Sequence, residues 1–401
     1  MAVVGAGAFG RNHLRVVREL ETAGAGVALV AVVDPEATRA GDAATRFGIP
    51  AFASIDELLR ADLKVDAACV AAPTVKHHEA AVALLDAGLD LLVEKPLAAN
   101  LREADAIIAA AEKHGRIVQV GHLERFNPAV LAVEPKLKRP MFFEAHRLSV
   151  FTPRSLDVDV VLDLMIHDLD IVLTFAKAPV REVRAVGLPI LSPKVDIANV
   201  RVEFESGCVA NFTASRVSTE RVRKLRFFEP RQYVSIDYAR RDVLMIRIDD
   251  SGVGEVGEAR DPAQELARVA AGYVATGKFD PLKIQTLLAS GKIPAGLVMK
   301  VLGAKNDPEK LAEIAKQLAG TQTASPDGPA PGLSFVKPEV APGEPLKLEI
   351  ESFLDSVRTR REPKVTARQG RAALQLALAI QSAMAAHAER AGLEDFFKGS
   401  L

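Results

Sequence analysis

The sequence has no tryptophan, three tyrosines and only two cysteines among its 401 residues. The cysteines, Cys69 and Cys208, both lie in apolar strand-like stretches, which favours buried thiols in a reducing compartment over a disulfide or a metal site. No apolar run reaches the roughly 18 residues that a membrane span requires. The N-terminus also lacks the basic region and apolar stretch of a secretion signal. We therefore expect a cytoplasmic protein.

Neither sign of charge dominates the chain, because 51 Lys and Arg stand against 52 Asp and Glu, for a net charge of −1. Such a balance gives no global field that would attract nucleic acid or an anionic membrane. We expect a small-molecule partner. The length is sufficient for two domains of ordinary size whose cores need no disulfide support.

Residues 1–122 alternate short apolar runs with longer stretches of helical spacing that end in glycine. The apolar runs include VALVAVVD, DAACVAAP, DLLVEKP and RIVQVGH. Strands so uniformly apolar have no face for water, which is typical of a parallel sheet covered by helices on both sides. This pattern predicts an α/β domain of the Rossmann type, with a doubly wound parallel sheet.

Residues 123–401 follow a different pattern. Beyond about residue 140 apolar residues recur at every second position, as in VRVEFESGCVANFTASRV. Alternation of this kind predicts a mainly antiparallel open sheet and hence an α+β domain. Residues 251–345 fit neither pattern, since amphipathic helical segments, the clearest beginning at Asp307, precede a proline-rich stretch. We interpret this region as a helical insertion.

A G-x-G-x-x-G motif, formed by Gly5, Gly7 and Gly10, stands between an apolar strand and a helical stretch. The first glycine permits a tight turn, the second lets the backbone approach a pyrophosphate, and the third lets helix and strand pack closely. The helix would begin near Ala8 and Phe9 with unpaired N–H groups directed at the phosphates. The motif therefore predicts a dinucleotide site.

The second predicted strand ends at Asp34, where a carboxylate would accept hydrogen bonds from the adenosine ribose. A carboxylate would repel a 2′-phosphate, so Asp34 predicts NAD rather than NADP as the cofactor. The alternative is that Asp34 is only a turn residue before Pro35. Because only four residues precede Gly5, either the central strand is short or the true start lies upstream.

Two further motifs carry candidate catalytic residues. VEKPL places Glu94 and Lys95 at the carboxyl end of a parallel strand, where a lysine can hold a substrate hydroxyl and stabilise a developing alkoxide. DLMIHDLD puts Asp163 and His167 one turn apart on a helix. The histidine can accept a proton near neutral pH, and a nearby carboxylate would favour its protonated form. The alternatives are a solvated lysine and a polar helix stripe facing water.

Taken together, GAGAFG, AAPTVKHHEAAVALLDAGLDLLVEKPLA, GHLERFNPA and D-x-x-x-H resemble the glucose–fructose oxidoreductase, inositol dehydrogenase and rhizopine catabolism (Gfo/Idh/MocA) family. The resemblance covers residues 1 to about 250 and resumes weakly from about 346 to 390. It implies that Lys95, Asp163 and His167 form the catalytic set. The expected cofactor-binding residues are Gly5, Gly7, Ala8, Phe9, Gly10, Asp34, Pro73, Thr74, His77 and Glu94. The expected substrate-binding residues are Lys95, Arg125, Asn127, Asp163 and His167.

GHLERFNPA, with EAHR further along, most resembles the branch of the family that oxidises nucleotide-linked amino sugars, such as UDP-N-acetylglucosamine at C3, for lipid A synthesis. The resemblance implies oxidation of a sugar hydroxyl to a ketone, with His167 as the base and Lys95 beside the oxyanion. A diphosphate substrate would need cationic partners in the second domain. The available arginines are Arg125, Arg147, Arg154, Arg216 and Arg221.

Two alternatives remain open. The first is a dehydrogenase of a free polyol or simple sugar, such as inositol. The second is a regulator that senses the dinucleotide without chemistry; such a protein is expected to lack Lys95 or His167, and both are present. No metal is expected, because no Cys/His set has ligand spacing. The resemblance also implies a homodimer or homotetramer through the C-terminal sheet.

Overall fold

A computed structural model describes residues 1–152, 158–248 and 333–393, with a few single positions between 301 and 314. The chain divides into two compact units, Met1–Met245 with Lys337–Leu401, and Ile246–Val336. The second unit overlaps the predicted insertion, whose predicted helix from Asp307 lies outside the described residues. The first unit contains the whole first sheet and the second sheet as far as Met245.

Six parallel strands form the first sheet, in the order β3-β2-β1-β4-β5-β6. Their bounds are β1 Ala2–Val4, β2 Ala31–Val33, β3 Ala51–Phe52, β4 Ala67–Val70, β5 Asp90–Glu94 and β6 Val118–Gly121. The strand order reverses between β1 and β4, and ligands of doubly wound sheets bind at such a switch point. The predicted Rossmann fold is confirmed, with a central strand of only three residues.

Helices cover both faces of this sheet. They are α1 Ala8–Thr22, α2 Ala37–Phe47, α3 Ile55–Arg60, α4 His77–Asp86 and α5 Leu101–His114. The chain marks their ends locally: the Asn100 side chain caps the start of α5, and Gly115 ends that helix in the left-handed conformation. A C-terminal helix, α8 Pro345–Thr359, adds Ile350 and Phe353 to the same core. Covered on both sides, the strands have no wet face, which explains their continuous apolar runs.

The second sheet has a mainly antiparallel arrangement with the strand order β13-β12-β11-β7-β10-β9-β8. The strands are β7 Phe142–Val150, β8 Val180–Leu188, β9 Ile197–Phe204, β10 Val209–Ser218, β11 Val222–Glu229, β12 Gln232–Asp237 and β13 Asp242–Ile248. Strands β7 and β10 pair in parallel, whereas β7 with β11, β8 with β9, β9 with β10 and β11 with β12 pair antiparallel. The predicted α+β architecture is therefore confirmed.

One face of the second sheet is covered by helices. These are α7 Ile166–Ala176 and α9 Ala367–Arg390, while α6 Pro128–Val133 packs at the margin. Phe143, Phe212 and Phe227 point into this core, and burying each aromatic side chain contributes about 1.5–3 kcal/mol. The period-2 pattern of the sequence follows from this single covered face.

Both cysteines are free thiols buried in the two cores, as predicted. Burial raises the pKa of the Cys208 thiol to about 11 and that of Cys69 well above its usual value. Both thiols are therefore protonated at neutral pH. Within the described ranges, no helix has the length and apolarity needed to cross a membrane.

Candidate active site

A cleft of about 420 Å³ lies at the carboxyl ends of the central strands of the first sheet. Ten of the predicted site residues line it: Gly5, Gly7, Ala8, Phe9, Asp34, Pro73, Thr74, Glu94, Lys95 and Asp163. The other predicted residues, Gly10, His77, Arg125, Asn127 and His167, lie outside this lining. The cleft thus joins the glycine loop to the end of β5 and to the segment that leads into α7.

The glycine loop is shaped for a group that approaches the backbone. Gly5 has a φ of +99°, and a β-carbon at Gly10 would lie 1.8 Å from the carbonyl oxygen of Gly5. By contrast, a β-carbon at Gly7 would have nothing within 4 Å. Gly7 is also the N-cap of α1, so the first N–H groups of the helix lack intrahelical partners. A pyrophosphate fits this open, donor-rich position.

Asp34 lines the cleft, but its carboxylate already has partners within the protein. Its Oδ2 accepts from the Ala6 N–H at 2.8 Å, and its Oδ1 accepts from the Glu36 N–H at 2.9 Å. The Arg39 guanidinium donates to Oδ1 at 3.1 Å. Burial raises the pKa of Asp34, but the hydrogen bonds from Arg39, Ala6 and Glu36 outweigh burial and lower it below its usual value. A bound ribose would therefore share this carboxylate with Arg39.

His77 lies behind the cleft and connects two of its walls. Its Nδ1 is 2.9 Å from the carbonyl oxygen of Pro96, and its Nε2 is 2.8 Å from that of Ala72. Both Ala72 and Pro96 line the cleft. His77 is therefore a positioning residue that fixes the segments after β4 and β5 relative to each other.

Lys95 extends from the end of β5 to the segment before α7. Its Nζ donates to the carbonyl oxygen of Asp163 at 2.7 Å and approaches that of Leu162 at 3.5 Å. Both carbonyls belong to a π-helical turn, Val161–Met165, where the sequence predicts ordinary helix. Wider turns of this kind are frequent at functional sites. Burial lowers the pKa of Lys95, and the negative charges of Asp163 and Glu94 partly offset this effect.

Glu94 supports Lys95 from the cleft wall. One carboxylate oxygen of Glu94 is 2.7 Å from Nε2 of His13, and the other accepts from the Lys95 N–H at 3.3 Å. Farther inside, Glu349 is fully buried and neither of its carboxyl oxygens has a hydrogen-bond partner. Burial and the charge of Glu94 raise the pKa of Glu349 well above its usual value. Burial therefore favours the neutral, protonated form of Glu349 in the folded protein.

His167 lies in the first turn of α7, one turn after Asp163. Its Nδ1 is buried without a hydrogen-bond partner and its ring is half-buried, so Nε2 is the nitrogen that can reach a ligand. Burial lowers the pKa of His167 well below its usual value, and the charges of Lys95 and Arg147 lower it further. This differs from the prediction that a carboxylate would favour the imidazolium. The dominant neighbouring charges are positive, and His167 is a neutral base.

Arg125 and Asn127 both make contacts within the protein. Arg125 donates to Oγ1 of Thr174 at 2.6 Å and lies 3.6 Å from Asp170. Asn127 caps α6 by accepting from the Ala129 N–H at 3.1 Å. The structure therefore gives these two predicted substrate residues a role in holding α6 and α7.

The other predicted cationic residues have different environments. Arg147 is buried and pairs with Asp168 and Glu124, while Arg216 is buried 3.6 Å from Asp196. Arg221 is exposed. Arg154 lies outside the described residues.

Two residues near His167 were not selected from the sequence. His122 directly follows β6, is 1% exposed and has no partner on either ring nitrogen. Burial lowers the pKa of His122. The sequence signal was available, because this histidine ends an apolar run at the same sheet edge as Lys95. The second residue, Arg223 on β11, also has a buried nitrogen without a partner. No local motif indicates it, because its position depends on strand register.

The glycine loop lies at the N-terminus of α1, and Lys95 follows β5 at the same edge of the sheet. This arrangement is typical of a Rossmann-fold oxidoreductase that binds NAD or NADP. The sequence model of the Gfo/Idh/MocA oxidoreductase family, NAD-binding Rossmann fold, matches residues 1–122. That of the Gfo/Idh/MocA C-terminal domain matches residues 133–230. In the part of the chain that the structure describes, no three His, Cys, Asp or Glu side chains form a metal site.

Known proteins resemble both halves of the chain. UDP-N-acetylglucosamine 3-dehydrogenase of Acidithiobacillus ferrooxidans is 36% identical over 267 residues, covering 66% of this chain and 82% of that protein. Its solved structure has a TM-score of 0.72 at 28% identity and covers 96% of this chain and 97% of its own. An inositol 2-dehydrogenase of Acidothermus cellulolyticus is 33% identical over 193 residues, covering 46% of this chain and 56% of that protein. The chain belongs to the Gfo/Idh/MocA family and is a dehydrogenase.

Proposed function

We propose that this protein is an NAD-dependent dehydrogenase that oxidises a secondary hydroxyl of a nucleotide-linked amino sugar to a ketone. The observation that carries the proposal is the hydrogen bond of 2.7 Å from Lys95 to the carbonyl oxygen of Asp163. It connects the cofactor cleft to the turn immediately before His167. Lys95 also lowers the pKa of His167, so we expect its ammonium and the neutral imidazole to act on the same substrate hydroxyl.

Each of the two side chains has a defined part in the reaction. Bound NAD would supply the hydride acceptor, taking the hydrogen of the carbinol carbon with its electron pair. His167 removes the hydroxyl proton through Nε2, and proton transfer of this kind contributes about 10²–10⁴-fold in rate. Lys95 has three N–H groups, so two carbonyl contacts leave one to donate to the substrate oxygen. Its positive charge stabilises the oxyanion as the proton leaves.

The preference for NAD over NADP is supported by Asp34. Its carboxylate is ionised because the hydrogen bonds from Arg39, Ala6 and Glu36 keep its pKa low. A negative charge at the end of β2 repels a 2′-phosphate. Arg39 partly offsets that repulsion, so we expect a measurable but incomplete preference for NAD.

Similarity to the UDP-N-acetylglucosamine 3-dehydrogenase supports a nucleotide-linked amino sugar as the substrate. The test is NADH formation from NAD with UDP-N-acetylglucosamine, inositol or glucose as the donor. We expect the highest kcat/KM with UDP-N-acetylglucosamine. Turnover of inositol alone would instead assign the protein to polyol oxidation, the activity named for the inositol 2-dehydrogenase relative.

We also propose a homodimer or homotetramer formed through the outer face of the second sheet. Three aromatic residues in register lie on that face: Phe142 and Phe228 have ring centroids 5.5 Å apart, and Phe228 and Tyr233 are 5.1 Å apart. Phe228 is 36% exposed, and contiguous exposed apolar groups mark interaction surfaces. Light scattering after gel filtration should give more than one chain per particle, and Phe228→Glu should reduce that number.

Two further proposals concern organisation and location. We place the boundary between the dinucleotide domain and the second domain at residue 122, the end of the first family match. We place the protein in the cytoplasm, which the two buried free thiols support. Limited proteolysis near residue 122 and fractionation of cells address these two proposals.

A further inference from the structure

We propose that Arg223 binds an anionic group of the substrate beside His167. The inference rests on the proposed function, because it assigns a further residue to the same substrate site. The ligand chemistry is an oxyanion, either the diphosphate of a nucleotide sugar or a carboxylate on a sugar ring. Arg223 would select substrates that carry such a group.

Strand register places Arg223 on the covered face of the second sheet. It lies directly opposite Arg147 of β7, and residues paired in this way point to the same face. Arg147 binds Asp168 of α7, so this is the face under the helix that carries His167. Arg223 also lies two residues before the buried Leu225 on β11, so the two side chains point to the same face of the sheet. Arg223 therefore faces the region between sheet and helix.

The neighbouring carboxylates are already bound by other groups. Both oxygens of Asp168 accept from Arg147, at 2.7 and 3.0 Å. One oxygen of Glu124 accepts from Arg147 at 3.1 Å, and the other accepts from Asn127 at 3.0 Å. Arg223 is half-buried, and its Nε is buried without a hydrogen-bond partner. A buried donor without a partner is unfavourable, and a ligand can remove that penalty.

The electrostatic environment also favours an anion. Burial lowers the pKa of Arg223, the like charges of Arg147 and Arg221 lower it further, and the charges of Glu124 and Asp168 partly offset this effect. Arg223 in turn contributes to the low pKa of His167. An oxyanion beside Arg223 would relieve the repulsion between Arg223 and Arg147. Guanidinium groups bind carboxylate and phosphate through paired N–H donors, which suits both candidate groups.

The chain offers a matched control on the same strand. Arg226 lies three residues after Arg223 on β11, so its side chain points to the opposite face of the sheet. It is 39% exposed and lies 3.8 Å from Glu144. Replacing Arg226 removes the same charge from the outer face of the sheet. A difference between the two positions therefore reports location rather than net charge.

The experiment compares the wild type with Arg223→Gln, Arg223→Lys and Arg226→Gln, each saturated with NAD. Calorimetry measures the dissociation constants of UDP and of glucuronate, and steady-state assays measure KM for UDP-N-acetylglucosamine. Loss of a charge-assisted hydrogen bond should weaken binding of one anion by about 10- to 100-fold in Arg223→Gln. Arg223→Lys should weaken it less, because the charge remains and the paired donors are lost. Arg226→Gln should bind both anions as the wild type does.

Each outcome decides the inference. Weaker binding of UDP assigns Arg223 to a diphosphate, and weaker binding of glucuronate assigns it to a carboxylate. Equal binding by wild type and Arg223→Gln overturns the inference, as does a wild type that binds neither anion. Should Arg223→Gln not fold, Arg223→Lys provides the same comparison. If UDP-N-acetylglucosamine is not oxidised while anion binding still depends on Arg223, the proposed substrate fails and this inference stands.

Discussion

The cofactor cleft and the proposed substrate face, formed by His122, His167 and Arg223, differ in how many of their polar atoms have hydrogen-bond partners. On the cleft side, the Asp34 carboxylate, the Glu94 carboxylate and both nitrogens of His77 have protein partners. On the substrate face, the His122 ring and the buried nitrogens of His167 and Arg223 have none. Lys95 lines the cleft, and its positive charge lowers the pKa of both His122 and His167.

This contrast separates the region whose polar atoms have partners within the protein from the region whose polar atoms lack them. Buried polar atoms in folded proteins almost always have hydrogen-bond partners, so a group of atoms without them calls for an explanation. At the cleft, backbone amides and neighbouring side chains fix the geometry in advance. At the proposed substrate face the unpaired nitrogens are the groups that we assign to substrate contacts.

One group on the cofactor side departs from this contrast. Glu349 and the side-chain oxygen of Gln119 are buried behind Glu94 without partners. Glu94, whose charge raises the pKa of Glu349, pairs with His13. Because an unpaired buried polar atom costs free energy of folding, the difference between the two regions can be tested by stability as well as by activity.

The largest expected effect separates the two regions by chemistry. His167→Asn should lower kcat by about 10²–10⁴-fold, because an amide cannot accept the hydroxyl proton. The dissociation constant of NAD should stay unchanged, since His167 does not line the cleft. Stopped-flow and fluorescence titration measure the two quantities. His146→Asn, on the same domain's β7, is the control, and full turnover of His167→Asn would remove this histidine from the mechanism.

The converse change acts on the cofactor side alone. Asp34→Ser should raise the ratio of kcat/KM with NADP to that with NAD by about 10- to 100-fold, because it removes a repulsive charge and releases Arg39. KM for the sugar should not change. The exposed Asp42 on α2 provides the control variant Asp42→Ser. An unaltered ratio would mean that Asp34 does not face the ribose.

Replacing the buried, unpaired Glu349 should increase the stability of the protein. Glu349→Met should raise the free energy of unfolding at neutral pH by about 1–3 kcal/mol, because an unpaired buried carboxyl is replaced by an apolar side chain. The raised pKa adds a pH dependence: above the ordinary pKa of about 4.5 unfolding releases a proton and favours the unfolded wild type, so the gain should shrink as the pH falls from neutral towards about 4.5. Urea unfolding measures it. A destabilised variant would show that Glu349 has a partner in solution.

The smallest effect concerns the histidines of the substrate face. The pKa values of His122 and His167 are lowered in the folded protein, so below about pH 6.5 the unfolded chain binds more protons than the native one. Stability should be greatest above that pH and fall as the pH decreases, by at most about 1.4 kcal/mol per pH unit for each histidine. Urea unfolding at about pH 7.5 and 5.5 measures this slope. The double variant His122→Gln/His167→Asn should flatten it, and an unchanged slope would contradict the low pKa values.

The sequence by itself determined the fold class and the cofactor side. Continuous apolar strands specify a parallel sheet, alternating ones specify a sheet with one covered face, and glycines at fixed spacing specify the loop. All of these signals are local, because they depend on neighbours within one strand, turn or helix. Lys95 could likewise be placed from the strand that ends just before it.

Only the tertiary structure decided the environment of the proposed substrate face. From the sequence, Arg125 and Arg147 are candidate anion-binding residues. In the structure Arg125 donates to Thr174 and Arg147 donates to Asp168, so both are bound within the protein. Arg223 has no motif around it and owes its position to the pairing of β11 with β7. The pKa of His167 likewise depends on charges brought together from separate strands. Local patterns report hydrogen bonds and burial within an element, whereas the partner of a buried charge is set by the packing of elements far apart in the chain.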